Sequence, residues 1–248
     1  GIAAFNRKCR ESVWRYKDEW ERFTDRMGFW LDLKDPYITY ETSYIENLWR
    51  IIKQFWQKKL FYRGHKVMPW CTRCGTALSS HEMALGYEET TEQAAYVKFK
   101  VSSVKRQASG SKVPTYILSW TTTPWTLPGN VALAVNPEAS YKRVALDKEV
   151  LIFADNKEAE TRIFGDKKPE FKDIKILKGK DLIGLKYEPL FRIKKLASNK
   201  SYRIYPADFV TAKEGTGAVH TAVMYGEDDY ELGKRYGLPQ HHTVDEEG

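Results

Sequence analysis

Length, composition and charge exclude several classes of protein before any motif is considered. The chain has 248 residues, 42% of them hydrophobic and 14% aromatic, which is enough for a packed core in one large or two smaller domains. Its net charge of +7 suits a polyanionic partner such as nucleic acid, but it is also common in proteins that bind none. No apolar run approaches the ~20 residues of a membrane span, so we expect a soluble protein with no membrane partner.

The cysteines and the first residues bear on the cellular compartment. Cys9, Cys71 and Cys74 are an odd number in a long chain, which argues against a disulfide framework and for a reducing environment. The first residues lack the basic flank, continuous apolar core and cleavage site of a signal peptide. The expected location is the cytoplasm.

The first part of the chain, residues 1–90, has the apolar periodicity of helices. Apolar residues recur every three or four positions from Asn6 to Met27 and predict one amphipathic helix. A second helix is predicted from about Ser43 to Lys59, with a capping box formed by Ser43 and Glu46. We interpret the apolar stripe of this second helix as core, at Tyr44, Leu48, Ile52, Phe55 and Trp56.

Short β-type runs dominate the second part of the chain, residues 91–248. Five such runs occur: AAYVKFKV, TYILSW, NVALAV, YKRVAL and EVLIF. Turn residues separate them, including loops predicted at 107–112 and 197–201, and helices are predicted at 155–164 and 226–237. The pattern predicts an α+β region built on an antiparallel, curved sheet.

The stretch WCTRCG places Cys71 and Cys74 at a spacing that lets both thiolates reach one tetrahedral zinc ion from a turn. A structural site needs four ligands, but no second CxxC follows and the five histidines form no ligand pair at a standard helical spacing. Two interpretations stay open. The pair is either two free cysteines or half of a zinc knuckle completed by residues outside this chain.

Residues 215–237, GTGAVHTAVMYGEDDYELGKRYG, combine an apparent strand carrying His220 with a helix whose first turn contains Asp228 and Asp229. Acidic residues in a first turn satisfy free backbone N–H groups and complement the helix dipole. One aspartate is enough for this structural role, so the other is available for a different one. Two interpretations of His220 stay open: it is a hydrogen-bonded structural residue of a sheet, or it is a functional residue.

Residues 119–130, SWTTTPWTLPGN, contain four threonines: Thr121, Thr122, Thr123 and Thr126. In a strand, β-branched threonines fit the backbone and can hydrogen-bond to it. Consecutive strand residues point to opposite faces, however, whereas a strand end bent at Pro124 would aim several hydroxyl and N–H groups into one pocket. A functional pocket at this bend is the alternative to a purely structural role.

These stretches resemble a known family. SWTTTPWTLPGN, GTGAVHTA and GEDDY are similar to the editing domain of isoleucyl-tRNA synthetases, which are class I aminoacyl-tRNA synthetases. Thr123, Trp125 and His220 together point to the isoleucyl branch rather than to the valyl and leucyl enzymes. GFWLDLKDPYITY and ENLWRIIKQFWQKKLFYRGHKVMPWCTRCGTALSSHE resemble the segment that joins the catalytic Rossmann core of that enzyme to its editing insertion. The resemblance covers the whole chain.

The resemblance implies a strand-dominated, β-barrel-like editing domain with peripheral helices at 91–248, preceded by a helical segment and a zinc-knuckle-like stalk at 1–90. The implied reaction is post-transfer editing, which hydrolyses misacylated valyl-tRNA(Ile) to valine and free tRNA. One methylene group is worth only ~1–3 kcal/mol in a hydrophobic pocket, a limit for which isoleucyl enzymes are the standard example. A second, smaller site is therefore needed to remove valine.

The chain lacks the H-x-G-H and K-M-S-K-S signatures with which class I synthetases bind ATP, so no amino-acid activation is expected of it. By the resemblance, ATP and Mg²⁺ belong to the full-length enzyme and editing needs no cofactor. Zinc is possible in the full-length protein, where cysteines beyond the editing insertion complete such a site. The implied partners are the 3′ end of tRNA(Ile) carrying valine and the rest of the synthetase, and the fragment itself is expected to be monomeric.

The resemblance also implies roles for the site residues. Asp229 pairs with the α-ammonium group of the substrate, and Thr121, Thr122 and Thr123 hold the terminal adenosine and the attacking water. The other implied substrate-binding positions are Thr126, Asn130 as a supporting residue, and Trp125 and His220 as walls of the side-chain pocket. Whether His220 is a steric gate or a general base stays open.

Two alternatives to editing remain at this stage, a catalytically silent tRNA-docking module and a zinc-ribbon structural module of a synthetase. The chain also departs from the family pattern at one place. After GTGAVHTA the family usually continues with proline and a small residue, whereas Val223, Met224 and Tyr225 follow here. We expect this departure to change the shape of the local loop.

Overall fold

The computed structural model describes residues 1–102, 113–165, 169–213 and 215–248. The predicted loop at 107–112 lies outside these described residues. The chain forms two compact units, Gly1–His65 and Lys66–Gly248. Among the described residues, no helix is both long enough and apolar enough to pass through a bilayer.

The first unit begins with two helices, α1 (Ile2–Trp14) and α2 (Lys17–Arg26). The prediction of one helix from Asn6 to Met27 is wrong, because the chain breaks helical geometry between them. Neither glycine nor proline marks this break. Asp18 and Glu19 lie in the first turn of α2, where carboxylates favour a new helix N-terminus.

The third helix, α3 (Thr42–Gln57), confirms the second predicted helix but not its details. Its N-cap is Glu41, which makes no side-chain capping bond, so the predicted Ser43–Glu46 capping box is wrong. The core interpretation of its apolar stripe is also wrong, because α3 buries no residue. Amphipathic spacing specifies an apolar face but not the surface that covers it. The residues concerned are Tyr44, Leu48, Ile52, Phe55 and Trp56.

The second unit opens with the two cysteines on a short hairpin. Strand β1 (Trp70–Cys71) pairs antiparallel with β2 (Thr76–Ala77). Helix α4 (Ser80–Leu85) follows and begins at a capping box in which Ser79 and Glu82 satisfy each other's backbone N–H groups. The hairpin therefore belongs to the same compact unit as the larger sheets.

All five predicted β-type runs are strands, and three more strands join them. They are β3 (Ala95–Lys100), β4 (Thr115–Thr121), β5 (Ala132–Val135), β6 (Ser140–Ala145), β7 (Val150–Ala154), β8 (Asp173–Lys178), β9 (Arg203–Pro206) and β10 (Ala218–Thr221). The predicted helices are confirmed as α5 (Lys157–Phe164) and α6 (Glu227–Tyr236). The α+β class is therefore confirmed.

In the described part of the chain, strands β3 to β10 form two sheets, and neither of these is purely antiparallel. One sheet has the order β3-β4-β7-β6-β8 and the other the order β10-β5-β9. Strands β4 and β7 are parallel, as are β5 and β9, so the predicted antiparallel sheet is wrong. The described strands also do not close into a barrel, which corrects the barrel-like expectation. Strand periodicity identifies a strand but not its partner.

The main core joins the two sheets and sets the position of the pocket described below. Phe99, Ile117 and Tyr141 of the larger sheet share one buried cluster with residues of β5, β9 and β10. The Tyr141 hydroxyl donates to the carbonyl of Gly217 at 2.6 Å, just before β10. Burial raises the pKa of Tyr141 to about 12, which keeps this donor protonated. Strand β10 also lies against β4.

Candidate functional site

A cavity of about 340 Å³ opens where the end of β4 meets β10 and the start of α6. Three segments line it: the threonine stretch, the segment that leads into and along β10, and the loop that enters α6. Six of the residues singled out from the sequence lie in its wall: Thr121, Thr122, Thr123, Thr126, His220 and Asp229. Long-range packing of β4 against β10 thus brings together groups that are about a hundred positions apart in the sequence.

The threonine stretch bends because its hydroxyl groups take over hydrogen bonds from the strand. Strand β4 ends at Thr121, and a 3₁₀ helix runs from Pro124 to Gly129. The Thr123 N–H donates to Oγ1 of Thr121 at 3.0 Å, and the two hydroxyl oxygens are 3.1 Å apart. Within the described part of the chain, no hydrogen bond holds the hydroxyl of Thr122, which is free to contact water or substrate.

Thr126 connects this bend to His220. Its hydroxyl donates to the carbonyl oxygen of Thr123 at 2.7 Å and lies 3.0 Å from Nε2 of His220. A hydroxyl has one proton, so His220 must donate from Nε2 to the Thr126 oxygen, which assigns the Nε2–H tautomer. Nδ1 of His220 then carries a lone pair and has no hydrogen-bond partner among the described residues.

His220 is buried on β10, with 7% of its surface exposed. This burial lowers the pKa of His220 to about 4, because the charged imidazolium loses solvation that nothing nearby replaces. The ring is therefore neutral at physiological pH. It forms a rigid, uncharged part of the pocket wall.

Asp229 lies in the first turn of α6, as predicted, together with Asp228. Its Oδ2 accepts the backbone N–H of Ala222 at 3.3 Å. Burial raises the pKa of Asp229 to about 7, aided by the neighbouring Asp228 charge and opposed by the hydrogen bond from the Ala222 N–H. Asp228 is exposed, so only Asp229 offers its carboxylate to the cavity.

Two residues implied by the family resemblance lie outside the cavity wall. Asn130 is buried and supports the structure around it: its amide donates to the carbonyl of Ala132 at 2.9 Å, and its oxygen accepts the Tyr187 hydroxyl at 2.7 Å. Trp125 is 56% exposed and is not part of the lining. The structure therefore groups neither residue with Asp229 and His220.

Other residues of the lining were not singled out from the sequence, although motifs nearby gave partial signals. Gly215 and Gly217 both have positive φ, and a Cβ on Gly215 would lie 2.8 Å from Nε1 of Trp120. Glycine at position 215 therefore lets the backbone approach the tryptophan. Trp120 lay within the threonine motif and Tyr225 within the departure from the family pattern. The further polar and aromatic lining residues are Phe209, Thr211 and Thr216.

The cysteine hairpin offers part of a metal site. The Cys74 N–H points to Sγ of Cys71 at 3.4 Å, and this contact is the main cause that lowers the pKa of the Cys71 thiol. The described residues contain no group of three or more His, Cys, Asp or Glu side chains that could hold a metal ion. Two thiols fit half of a tetrahedral zinc site, so the zinc knuckle stays a prediction.

The model of the family "tRNA synthetases class I (I, L, M and V)" matches residues 1–227. The chain belongs to this family. Over all 248 residues this synthetase chain is 46% identical to isoleucine–tRNA ligases of Clostridium tetani (strain Massachusetts / E88) and Clostridium novyi (strain NT), and 43% identical to isoleucine–tRNA ligase 2 of Bacillus cereus (strain ZK / E33L). It spans only 22–23% of the length of these relatives.

Solved structures similar to this synthetase chain include two from leucyl enzymes. The crystal structure of GlLeuRS-CP1 is 18% identical, with a TM-score of 0.46 over 59% of this chain and 63% of that one. The P. falciparum cytosolic leucyl-tRNA synthetase editing domain (space group P21) is 13% identical, with a TM-score of 0.44 over 58% and 67%.

Proposed function

We propose that this chain is the editing module of an isoleucyl-tRNA synthetase and hydrolyses valyl-tRNA(Ile) to valine and free tRNA(Ile). The observation that carries the proposal is that one cavity gathers the threonine bend, His220 and the Asp229 carboxylate. The relatives are named isoleucine–tRNA ligases, which supports tRNA(Ile) as the nucleic acid and the rest of such a synthetase as the second partner. The cytoplasm, where tRNA is charged, is the corresponding location.

Asp229 supplies the contact that selects an aminoacyl ester. An α-amino group has an ordinary pKa of about 7.7–8.0 and is largely an ammonium ion at neutral pH. In a partly dry cavity its strongest available partner is a carboxylate, and the pair gains from charge-assisted hydrogen bonds. The ammonium also favours the ionised form of Asp229, which burial alone disfavours.

The hydrolysis needs no covalent nucleophile from the protein. An ester to a ribose hydroxyl is already activated, so a water molecule held in line with the carbonyl carbon can attack it. The Thr122 hydroxyl is free to hold this water, whereas Thr121 and Thr123 are tied to each other at the bend. Hydroxyl and backbone dipoles of the bend stabilise the charge that develops on the ester oxygen.

His220 sets the size of the site for the amino-acid side chain. Its ring is neutral and is held by Thr126, so it presents a fixed surface to the substrate. Valine and isoleucine differ by one methylene group, and a wall that cannot move excludes the larger side chain by overlap. In this proposal, Asp229 recognises the common ammonium group and His220 discriminates between the side chains.

A deacylation assay with the 248-residue chain tests the proposal. Valyl-tRNA(Ile) and isoleucyl-tRNA(Ile), each labelled in the amino acid, are incubated with and without protein, and the release of free amino acid is followed. We expect rapid release of valine and little release of isoleucine above the rate without protein. If the chain retains tRNA(Ile) on a filter but releases neither amino acid, it is a docking module and the proposal fails.

A further inference from the structure

Tyr225 connects the cavity to a segment of the chain that the proposed reaction does not otherwise use. We infer that Tyr225 is a positioning residue of the editing pocket: its hydroxyl anchors residues 242–244 and thereby fixes the loop on which Asp229 rests. The inference rests on the function proposed above. It concerns how the substrate-binding carboxylate is held in place.

The Tyr225 hydroxyl uses all of its hydrogen-bonding capacity on one neighbouring segment. Its oxygen accepts the backbone N–H groups of Thr243 and of Val244, the latter at 2.8 Å. With both acceptor positions in use, its own proton is donated to Oγ1 of Thr243, 3.1 Å away. The ring of His242 adds an edge-on contact at 6.0 Å between centroids. Phenylalanine at this position would keep the ring but lose all three hydrogen bonds.

The ring of Tyr225 packs against the end of the threonine bend. A Cβ on Gly129 would lie 2.9 Å from the Tyr225 ring and 3.1 Å from Oγ1 of Thr243, so glycine is needed for this close approach. Gly129 is the last residue of the 3₁₀ helix that follows the threonines. Tyr225 therefore contacts the bend and residues 242–244 while its side chain lines the cavity.

Backbone hydrogen bonds link Tyr225 to Asp229. The Tyr225 N–H donates to the carbonyl of Ala222 at 2.9 Å and closes a four-residue turn. The N–H of Ala222, at the other end of this turn, donates to Oδ2 of Asp229. A shift of Tyr225 therefore moves the turn that supports the Asp229 carboxylate.

The residues that directly follow the anchoring segment are held at a second place. Nε1 of Trp70 donates to the carbonyl of Glu246 at 2.9 Å. A Cβ on Gly248 would lie 3.0 Å from Cγ2 of Thr72, so the segment also runs close to the cysteine hairpin. Because residues 246 and 248 lie against the cysteine hairpin, the anchoring segment before them is restrained independently of Tyr225 and can hold the Tyr225 hydroxyl in place.

The variant Tyr225→Phe tests the inference in the 248-residue chain. We expect KM for valyl-tRNA(Ile) to rise roughly tenfold, which corresponds to about 1.4 kcal/mol, while kcat changes less than about twofold. The reason is that the ammonium contact with Asp229 is made in the ground state and in the transition state alike. Amide hydrogen exchange at residues 243 and 244 should also become faster. A purely structural role would instead lower the active fraction, and hence kcat, at unchanged KM.

Two further variants keep the test decisive. Tyr205→Phe is the matched control, because the Tyr205 hydroxyl donates to the Lys200 carbonyl at 2.7 Å, outside the cavity lining. We expect this variant to change neither KM nor the amide hydrogen exchange at residues 243 and 244. Thr243→Val removes one of the three hydrogen bonds of the Tyr225 hydroxyl and should raise KM by a smaller factor than Tyr225→Phe does.

The possible failures can be told apart. An unchanged KM in folded Tyr225→Phe overturns the inference, whether or not hydrogen exchange accelerates, and leaves the proposed function standing if the wild-type chain hydrolyses valyl-tRNA(Ile). A wild-type chain that hydrolyses neither ester overturns the proposed function, and this inference falls with it.

Discussion

The hydroxyl of Thr126 joins His220 to the threonine bend, lying 3.0 Å from Nε2 of the imidazole while it donates to the carbonyl of Thr123. Its single proton is used on that carbonyl, so His220 acts as the donor in the other contact. The bend therefore fixes both the tautomer and the orientation of the ring. A residue ninety-four positions earlier in the sequence thus fixes part of the cavity wall.

The variant Thr126→Val tests this connection through stability. It keeps the shape of the side chain but leaves the buried Nε2–H of His220 without an acceptor. We expect the free energy of unfolding, measured by chemical denaturation, to fall by about 1–3 kcal/mol, the usual penalty for an unsatisfied buried polar group. Thr122→Val is the matched control and should cost much less, because no described hydrogen bond holds that hydroxyl. Equal losses in both variants would contradict the assignment.

His220→Ala separates the two roles left open for the histidine. If His220 is a steric gate, the variant should hydrolyse isoleucyl-tRNA(Ile), while hydrolysis of valyl-tRNA(Ile) declines less steeply. If His220 is a general base, both rates should collapse together. We expect the first outcome, because Asp229 and the threonine bend stay in place when only one wall recedes. Measuring both esters with the same protein preparation decides between the roles.

The pH profile gives an independent check on the same residue. The pKa of His220 is lowered to about 4 by burial, so the ring stays neutral throughout the range from pH 6 to 8. The wild-type rate should therefore show no inflection from His220 near its ordinary pKa of about 6.5. An inflection there that disappears in His220→Ala would argue for a base role.

Local patterns in the sequence predicted the strands and helices of the second unit well. The runs that became β3 to β7 are short apolar or alternating stretches bounded by turn residues, and α6 follows directly from its acidic first turn and the glycine after it. These signals are local, so they do not depend on distant parts of the chain. The parallel pairing of β4 with β7 is non-local, and no window of the sequence contains it.

The distinction between local sequence signals and non-local packing also explains which residues of the candidate site could be predicted. The threonines, His220 and Asp229 were identified by motif, and the structure places them around one cavity. Trp120 and Tyr225 also line it, but their contribution arises from packing between segments distant in sequence. Asn130, in contrast, was identified by motif but does not line the cavity. Its side chain makes hydrogen bonds that support the surrounding chain.

Zinc binding is expected to be weak in this chain. The hairpin supplies two thiols, Cys71 and Cys74, and a structural site needs four ligands. A chelator should therefore leave valyl-tRNA(Ile) hydrolysis unchanged, and zinc should be lost on gel filtration. Paired replacement of Cys71 and Cys74 by serine, with Cys9→Ser as the control, should not alter zinc content. Tightly held, stoichiometric zinc would contradict this expectation and show that further side chains of this chain complete the site.

Asp229→Ala should remove the charged partner of the substrate. We expect kcat/KM for valyl-tRNA(Ile) to fall roughly 10- to 100-fold or more, the loss of a charge-assisted hydrogen bond. Asp228→Ala is the matched control: it should cost about 0.3–1 kcal/mol of stability through the helix N-terminus and leave turnover nearly normal. Retained activity in folded Asp229→Ala would mean that a different carboxylate binds the ammonium.

Asp229 also predicts how stability depends on pH in the absence of substrate. Its pKa in the folded chain is about 7, above the ordinary value of 3.8, so the folded state binds the proton more tightly than the unfolded state. Its contribution to stability is fully present below pH 3.8 and is lost as the pH rises through 7. Asp229→Asn has no such titration and avoids burying a charge.

We therefore expect the free energy of unfolding of Asp229→Asn to increase relative to that of the wild type as the pH is raised from 5 to 8. The increase should be on the order of 2–4 kcal/mol, because one pKa unit corresponds to about 1.4 kcal/mol. His220 titrates in the opposite sense, with stability lost as the pH falls from 6.5 towards 4, but it is present in both proteins and cancels in the difference. Denaturant unfolding of the two proteins at pH 5, 6.5 and 8 measures this difference. If this difference is constant with pH, the Asp229 carboxylate is not buried in the folded chain. A difference that grows with pH means that the carboxylate proposed to bind the ammonium costs stability when the pocket is empty.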